Sequence, residues 1–131
     1  MDQATYEEYL KQVNLGKVRD FADQYYDDGI QVLSGGITYN KSRLLDLLDV
    51  IAKQMTETFD LLNFYSSRDG LAAELKVKYV AKNDVIKEPF EKAGFPEGYI
   101  GLKKGEVFEA HAVFTYRVKN GKFVFSQGFA A

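Results

Sequence analysis

Apolar residues recur at helical spacing in the first part of the chain, before the pattern changes to alternation. Three helices are predicted there, beginning at Thr5, near residue 17 and near residue 41. Thr5 and Glu8 have the spacing of a capping box, and Gly16 is expected to end the first helix in a left-handed turn. Asn40 is the predicted N-cap of the third helix, which should extend to about residue 56.

The rest of the chain mostly alternates between apolar and polar residues, as strands with one buried face do. Two hairpins are predicted, formed by strands 58–67 and 71–81 and by strands 106–119 and 122–129. Short strands are expected at 30–33 and 37–39. On strand 58–67, Asp60 and Asn63 should lie on opposite faces, and which of them points inward stays open.

Residues 83–104, between the two hairpins, are too many for a simple connection. They include both prolines of the chain, and a short helix is expected near Pro89. Their aromatic residues indicate that the segment packs against the domain. We expect it to act as a lid that excludes water from a binding site.

Composition mainly excludes classes of function. The 131 residues suffice for one domain, expected to span 1–131. The 17 basic and 19 acidic residues are interspersed, which argues against a nucleic-acid surface or a polybasic membrane anchor. Without cysteine, thiol catalysis and Cys-ligated zinc are excluded, and no histidine–carboxylate spacing indicates a metal site. The polar N-terminus is unlike a signal peptide, so a cytoplasmic protein is the default expectation.

Two motifs and the order of the elements are similar to a known superfamily. The sequence YYDD at 25–28 leads into a strand, and YRVKNGKF at 116–123 spans the last hairpin. With three helices ahead of a twisted antiparallel sheet, they resemble the nuclear transport factor 2-like superfamily in its SnoaL-like branch, which includes polyketide cyclase-like and ketosteroid isomerase-like proteins. The resemblance implies an α+β fold in which three N-terminal helices pack in a curved antiparallel sheet, a cone-shaped barrel.

The catalytic patterns of this superfamily match the chain only in part. Tyr9 falls on the tyrosine that hydrogen-bonds the developing oxyanion in ketosteroid isomerases, and Tyr25 falls on a tyrosine that supports it. Leu33 and Ala112 occupy the positions of the two carboxyl groups that the isomerase mechanism needs, so that mechanism is rejected. Gly128 likewise stands where limonene epoxide hydrolases have an aspartate.

The candidate site residues come from the face expected to line the cone and from isolated titratable groups. The candidate catalytic residues are Tyr9 as a hydroxyl donor, Glu106 as a carboxylate at the mouth, and His111 as a group that titrates near neutrality. Core packing for Tyr9, a solvated position for Glu106 and an outer-face position beside Glu109 for His111 stay open. The candidate substrate-binding residues are Tyr25, Tyr79, Phe108, Ala112, Phe114, Tyr116 and Ser126.

The resemblance to SnoaL-like proteins implies an enzyme that needs no cofactor, a cyclase, isomerase or dehydratase that works by general acid/base chemistry. Its expected substrate is an apolar polycyclic, terpenoid or polyketide intermediate of natural-product biosynthesis. Two alternatives stay open: a non-catalytic module that binds a small apolar molecule, and a dimeric protein-interaction domain. An enzyme needs a titratable group inside the cone, whereas a carrier needs only the cavity.

Three phenylalanines alternate along the last strand, at Phe123, Phe125 and Phe129, and should share one face. On the outer face they would form an apolar patch too large for a monomer. Members of the SnoaL-like family, which this chain resembles, commonly dimerise through this sheet, so a homodimer is predicted. The alternative is that the three rings cover the core from the other side.

Overall fold

Helices α1 (Gln3–Asn14), α2 (Val18–Tyr25) and α3 (Lys41–Gln54) pack against one face of a six-stranded sheet. The computed structural model describes residues 1–130. The strands are β1 (Tyr26–Ser34), β2 (Ile37–Tyr39), β3 (Met55–Ser66), β4 (Gly70–Ala81), β5 (Val107–Lys119) and β6 (Lys122–Ala130). A short helix, α4 (Glu88–Lys92), precedes β5. The predicted α+β class is confirmed, and within the described residues no helix is long and apolar enough to cross a membrane.

The sheet is mixed, although a wholly antiparallel one was expected. Its strand order is β2-β1-β6-β5-β4-β3, and β1 pairs with β6 in parallel, with Gln31 opposite Phe125. The other four neighbouring pairs are antiparallel. Most of the chain lies between β1 and β6, so no pattern of neighbouring residues could indicate this pairing.

The cap of α1 differs from the predicted one. Asp2 is the N-cap, and its carboxylate accepts a hydrogen bond from the Thr5 amide at 2.8 Å. Asn40 caps α3 as predicted, accepting from the Arg43 amide at 2.9 Å. Strand β3 follows α3 without a loop and begins at Met55, ahead of the predicted start at residue 58.

A β-bulge on β3 makes one prediction about strand faces wrong. Leu62 is an extra residue between the register pairs of Leu61 and Asn63. Because of this extra residue, Asn63 lies on the same face as Asp60, the outer face of the sheet. There the Asn63 amide donates to the Glu74 carboxylate at 2.9 Å.

A second bulge, at Val124 on β6, separates the three phenylalanines. Phe123 is fully buried in the core, whereas Phe125 and Phe129 lie on the outer face, and Phe129 is 47% exposed. The prediction that all three rings share one face is therefore wrong. Alternation fails because one extra residue inverts the faces beyond it.

Residues 83–104 pack beside α3 in a hydrophobic cluster of their own. Phe90 of α4 is fully buried in this cluster, against residues that include Leu47 of α3. The Gln54 side chain fixes the start of the segment, donating to the Ile86 carbonyl at 3.3 Å and accepting from the Ile86 amide at 2.6 Å. No residue of the segment, all of which is described, lines the central cavity. The structure thus places it beside the cavity, not over it as a lid.

Candidate active site

A cavity of about 300 Å³ lies between the three N-terminal helices and the inner face of the sheet. Its wall is mainly apolar and includes buried side chains such as Ile30, Leu75 and Phe123. The exposed lining residues mark its mouth: Leu15, Gly16, Thr56 and Lys82. A concave, mostly apolar space with a few polar groups is the usual form of a small-molecule site.

Glu57 is a carboxylate in this apolar wall. It lies on β3 between Met55 and Phe59, and the three side chains share the inner face because strand residues alternate. Desolvation by burial raises the pKa of Glu57 to about 7, and hydrogen bonding by its cross-strand neighbour Tyr79 opposes this rise only in part. At neutral pH Glu57 therefore populates both its acid and its base form.

Two tyrosine hydroxyls form a hydrogen-bonded pair in the same cavity. Tyr9 of α1 and Tyr26 of β1 are buried lining residues whose hydroxyl oxygens are 2.8 Å apart. Burial raises the pKa of both, and the charge of Glu57 raises both further. Both phenols therefore stay protonated, and when one donates to the other, one proton remains for an oxygen atom of a ligand.

A second polar group lies on the strands β5 and β6. Tyr116 and Ser126 are cross-strand partners, both are buried, and both line the cavity. The Tyr116 hydroxyl is 2.9 Å from the hydroxyl of Tyr6, a fully buried residue of α1. Burial raises the pKa of both tyrosines, so this pair is also neutral.

Comparison with known proteins identifies the fold. No protein-family model and no curated protein sequence matches the chain. Solved structures do match, among them AclR from Streptomyces galilaeus, a candidate hydroxylase, with a TM-score of 0.75, 14% identity, and coverage of 98% of this chain and 87% of that one. A SnoaL-like polyketide cyclase from Agrobacterium tumefaciens has a TM-score of 0.71, 17% identity, and coverage of 97% and 88%.

The chain has the SnoaL-like fold. At such low identities the similarity shows the fold and not the activity, because one fold hosts many chemistries. The cavity of the SnoaL-like fold is therefore interpreted from the residues of this chain alone.

Several residues predicted from the sequence do meet in the cavity of the SnoaL-like fold. Tyr79 and Ala112 do not themselves line the cavity: Tyr79 is the cross-strand neighbour of the lining residue Glu57, and Ala112 packs against the main hydrophobic core. The predicted residues that line the cavity directly are Tyr9, Phe114, Tyr116 and Ser126.

The two other candidate catalytic residues lie outside the cavity. Glu106 is exposed just before β5, and its carboxylate accepts from the Lys103 amide at 2.7 Å. His111 is on the outer face of β5, where its Nε2 lies 3.5 Å from the Glu74 carboxylate. Glu109, the expected neighbour of His111, pairs instead with a lysine of β4. Neither Glu106 nor His111 therefore lines the cavity.

Tyr25 and Phe108 also lie away from the cavity wall. Tyr25 ends α2 and packs its ring against that of Tyr9, with centroids 5.1 Å apart, while the next residue, Tyr26, lines the cavity. Phe108 is 42% exposed, and its ring centroid is 6.3 Å from that of Tyr79. The shift from Tyr25 to Tyr26 arises because the helix ends and the strand begins between them.

Sequence reasoning missed Glu57 and Tyr26. Glu57 lies just before the strand predicted from residue 58, although its alternation with Met55 and Phe59 already indicates a carboxylate on an apolar face. For Tyr26, at the start of β1, no local signal exists, because its hydroxyl partner, Tyr9, belongs to α1.

Proposed function

We propose that this protein is a cofactor-independent enzyme that transfers protons on a small, neutral, largely apolar carbonyl compound. The observation that supports it is one cavity that contains both the Glu57 carboxyl, with a pKa of about 7, and the Tyr9–Tyr26 hydroxyl pair. A carboxylate with such a pKa suits general acid/base catalysis at neutral pH. The two hydroxyls suit the stabilisation of a developing oxyanion.

In the proposed step, the Glu57 carboxylate removes a proton from the carbon next to the substrate carbonyl. The electron pair of the broken C–H bond moves onto the carbonyl oxygen, giving an enolate, while the Tyr9–Tyr26 pair donates a hydrogen bond to that oxygen. Protonated Glu57 then returns the proton to a different atom. Isomerisation, aldol-type cyclisation and dehydration of a hydroxyketone can all begin with this step.

The cavity size narrows the expected substrate. A volume of about 300 Å³ is at the lower end of the range for small-molecule sites. It therefore favours a substrate of one or two rings over a larger polycyclic compound. The natural-product intermediate expected from the sequence stays a prediction within this size limit.

Proton exchange on a simple ketone tests the proposal. In deuterated buffer, the wild-type protein should catalyse deuterium incorporation next to the carbonyl of decalone, a saturated bicyclic ketone, followed by NMR. The rate should increase as pH rises through about 7, since the base form of Glu57 is the reactive one. Glu57→Gln should slow the reaction by about 10²–10⁴-fold.

Asp60→Asn is the matched control, because Asp60 is an exposed carboxylate on the outer face of the same strand. It should leave the exchange rate unchanged. Equal rates for the wild type and Glu57→Gln would contradict the catalytic role. Decalone binding without exchange would favour the non-catalytic binding module.

A homodimer formed through the outer face of the sheet is the second part of the proposal. Phe125 and Phe129 lie on that face, and Val113 is the cross-strand neighbour of Phe129. Exposed apolar side chains grouped on one face are typical of an interaction surface.

A further inference from the structure

We propose that Tyr116 and Ser126, supported by Tyr6, form a second oxygen-binding subsite that selects substrates with a hydroxyl or carbonyl group remote from the reacting carbonyl. The inference deepens the proposed function and rests on it for the identity of the reacting carbonyl. The subsite itself is inferred from hydrogen-bonding groups that the proposed proton transfer does not use.

The first observation is an unpartnered hydroxyl. Ser126 is only 8% exposed, and none of the side-chain hydrogen bonds found within residues 1–130 involves its hydroxyl. No fully enclosed side-chain polar atom of the described residues lacks a partner, so the Ser126 hydroxyl is open to the cavity that Ser126 lines. A ligand oxygen in the cavity can therefore bond to it.

The second observation is the direction that the Tyr6–Tyr116 hydrogen bond allows. Tyr6 is fully buried, and within the described residues its hydroxyl is bonded to that of Tyr116 alone. If Tyr6 donates to Tyr116, the Tyr116 proton is free to point into the cavity. Hydrogen bonds in such a chain polarise one another, which strengthens the terminal donor.

The third observation is that Tyr116 and Ser126 share one region of the cavity wall. Tyr116 and Ser126 are directly opposite each other on adjacent antiparallel strands. Side chains so placed on one face have Cβ atoms about 4.5–5.5 Å apart. A ligand bound beside this part of the wall can therefore accept a hydrogen bond from Tyr116 and exchange one with Ser126.

The subsite is separate from the reacting end of the cavity. Glu57 is in register with Tyr79 and, through it, with Phe108, which is eight residues from Tyr116 along β5. The rings of Tyr9 and Tyr116 both pack against that of Phe123, with centroids 5.0 and 4.5 Å away. The Tyr9–Tyr26 pair therefore adjoins the second subsite, whereas Glu57 lies farther along the sheet.

Binding of two matched ketones tests the subsite. The probes are decalone and a hydroxydecalone whose hydroxyl is on the ring remote from the ketone, and their dissociation constants are measured by NMR titration. The wild type should bind the hydroxylated ketone about tenfold more tightly, as expected for one or two additional neutral hydrogen bonds. Ser126→Ala should reduce this preference to within about twofold.

A second variant keeps the subsite testable if a single substitution at Tyr116 disturbs folding. Tyr116→Phe alone would leave the buried Tyr6 hydroxyl without a hydrogen-bond partner. The double variant Tyr6→Phe/Tyr116→Phe removes both hydroxyls together, and it should also lose the preference for the hydroxylated ketone. Thr115→Val is the control, because it removes a hydroxyl from the opposite face of β5 and should keep the tenfold preference.

Two results would overturn the subsite: a wild type that binds both ketones equally or does not bind the hydroxylated one, and a preference that persists in Ser126→Ala and in the double variant. The proposed function fails separately. A retained hydroxyl preference without deuterium exchange would remove the catalytic role of Glu57 and leave the subsite intact.

Discussion

At the scale of single residues, Glu57 should couple stability to pH. Its pKa rises from 4.5 to about 7 on folding, so the folded chain keeps a proton that the unfolded chain releases between these values. This raised pKa makes the contribution of Glu57 to stability largest below about pH 4.5. The free energy of unfolding should then fall by up to about 3 kcal/mol as pH rises to 7.

Glu57→Gln should remove this pH dependence and be more stable than the wild type above pH 7. Urea unfolding at a series of pH values measures the difference between the two proteins. Asp60→Asn should follow the wild-type curve, since Asp60 is exposed on the outer face. A Glu57→Gln protein with the wild-type pH slope would show that Glu57 is solvated in the folded state.

At the scale of elements, Gln54 anchors the segment 83–104 to the end of α3. Its side chain satisfies both backbone groups of Ile86. Gln54→Ala should therefore cost about 1–3 kcal/mol and accelerate amide hydrogen exchange within 83–104. Exchange in β5 and β6 should stay slow, because those strands are held by the sheet.

The same variant distinguishes an anchor from a lid. Since residues 83–104 do not line the cavity, Gln54→Ala should change decalone affinity by less than about twofold, even with the segment loosened. Gln12→Ala is the control, because the Gln12 side chain, within residues 1–130, donates only to Glu8 on the surface of α1. A large loss of affinity in Gln54→Ala would show that the segment does close the cavity.

At the scale of the whole molecule, the exposed outer face predicts self-association. Phe129 is 47% exposed on that face, so Phe129→Ser should shift a dimer toward monomer in sedimentation velocity. Leu15→Ser is the control: Leu15 is 66% exposed but lies at the cavity mouth on the helix side of the sheet, so the association should be unchanged. A monomeric wild type at high concentration would contradict the predicted dimer.

The helices, the hairpins and the α+β class could be predicted from the sequence, because each depends on residues close together in the chain. Helical spacing, the Asn40 cap and strand alternation are local signals. The inward face of β5 was predicted for the same reason, so Phe114 and Tyr116 lie where expected.

Tertiary structure alone decided the parallel β1–β6 pairing, the effect of the two bulges and the composition of the site. Each of these depends on residues far apart in sequence. The pairing of Tyr9 with Tyr26 exists only when a helix packs against a distant strand. The raised pKa of Glu57 likewise arises only when the surrounding apolar side chains exclude water.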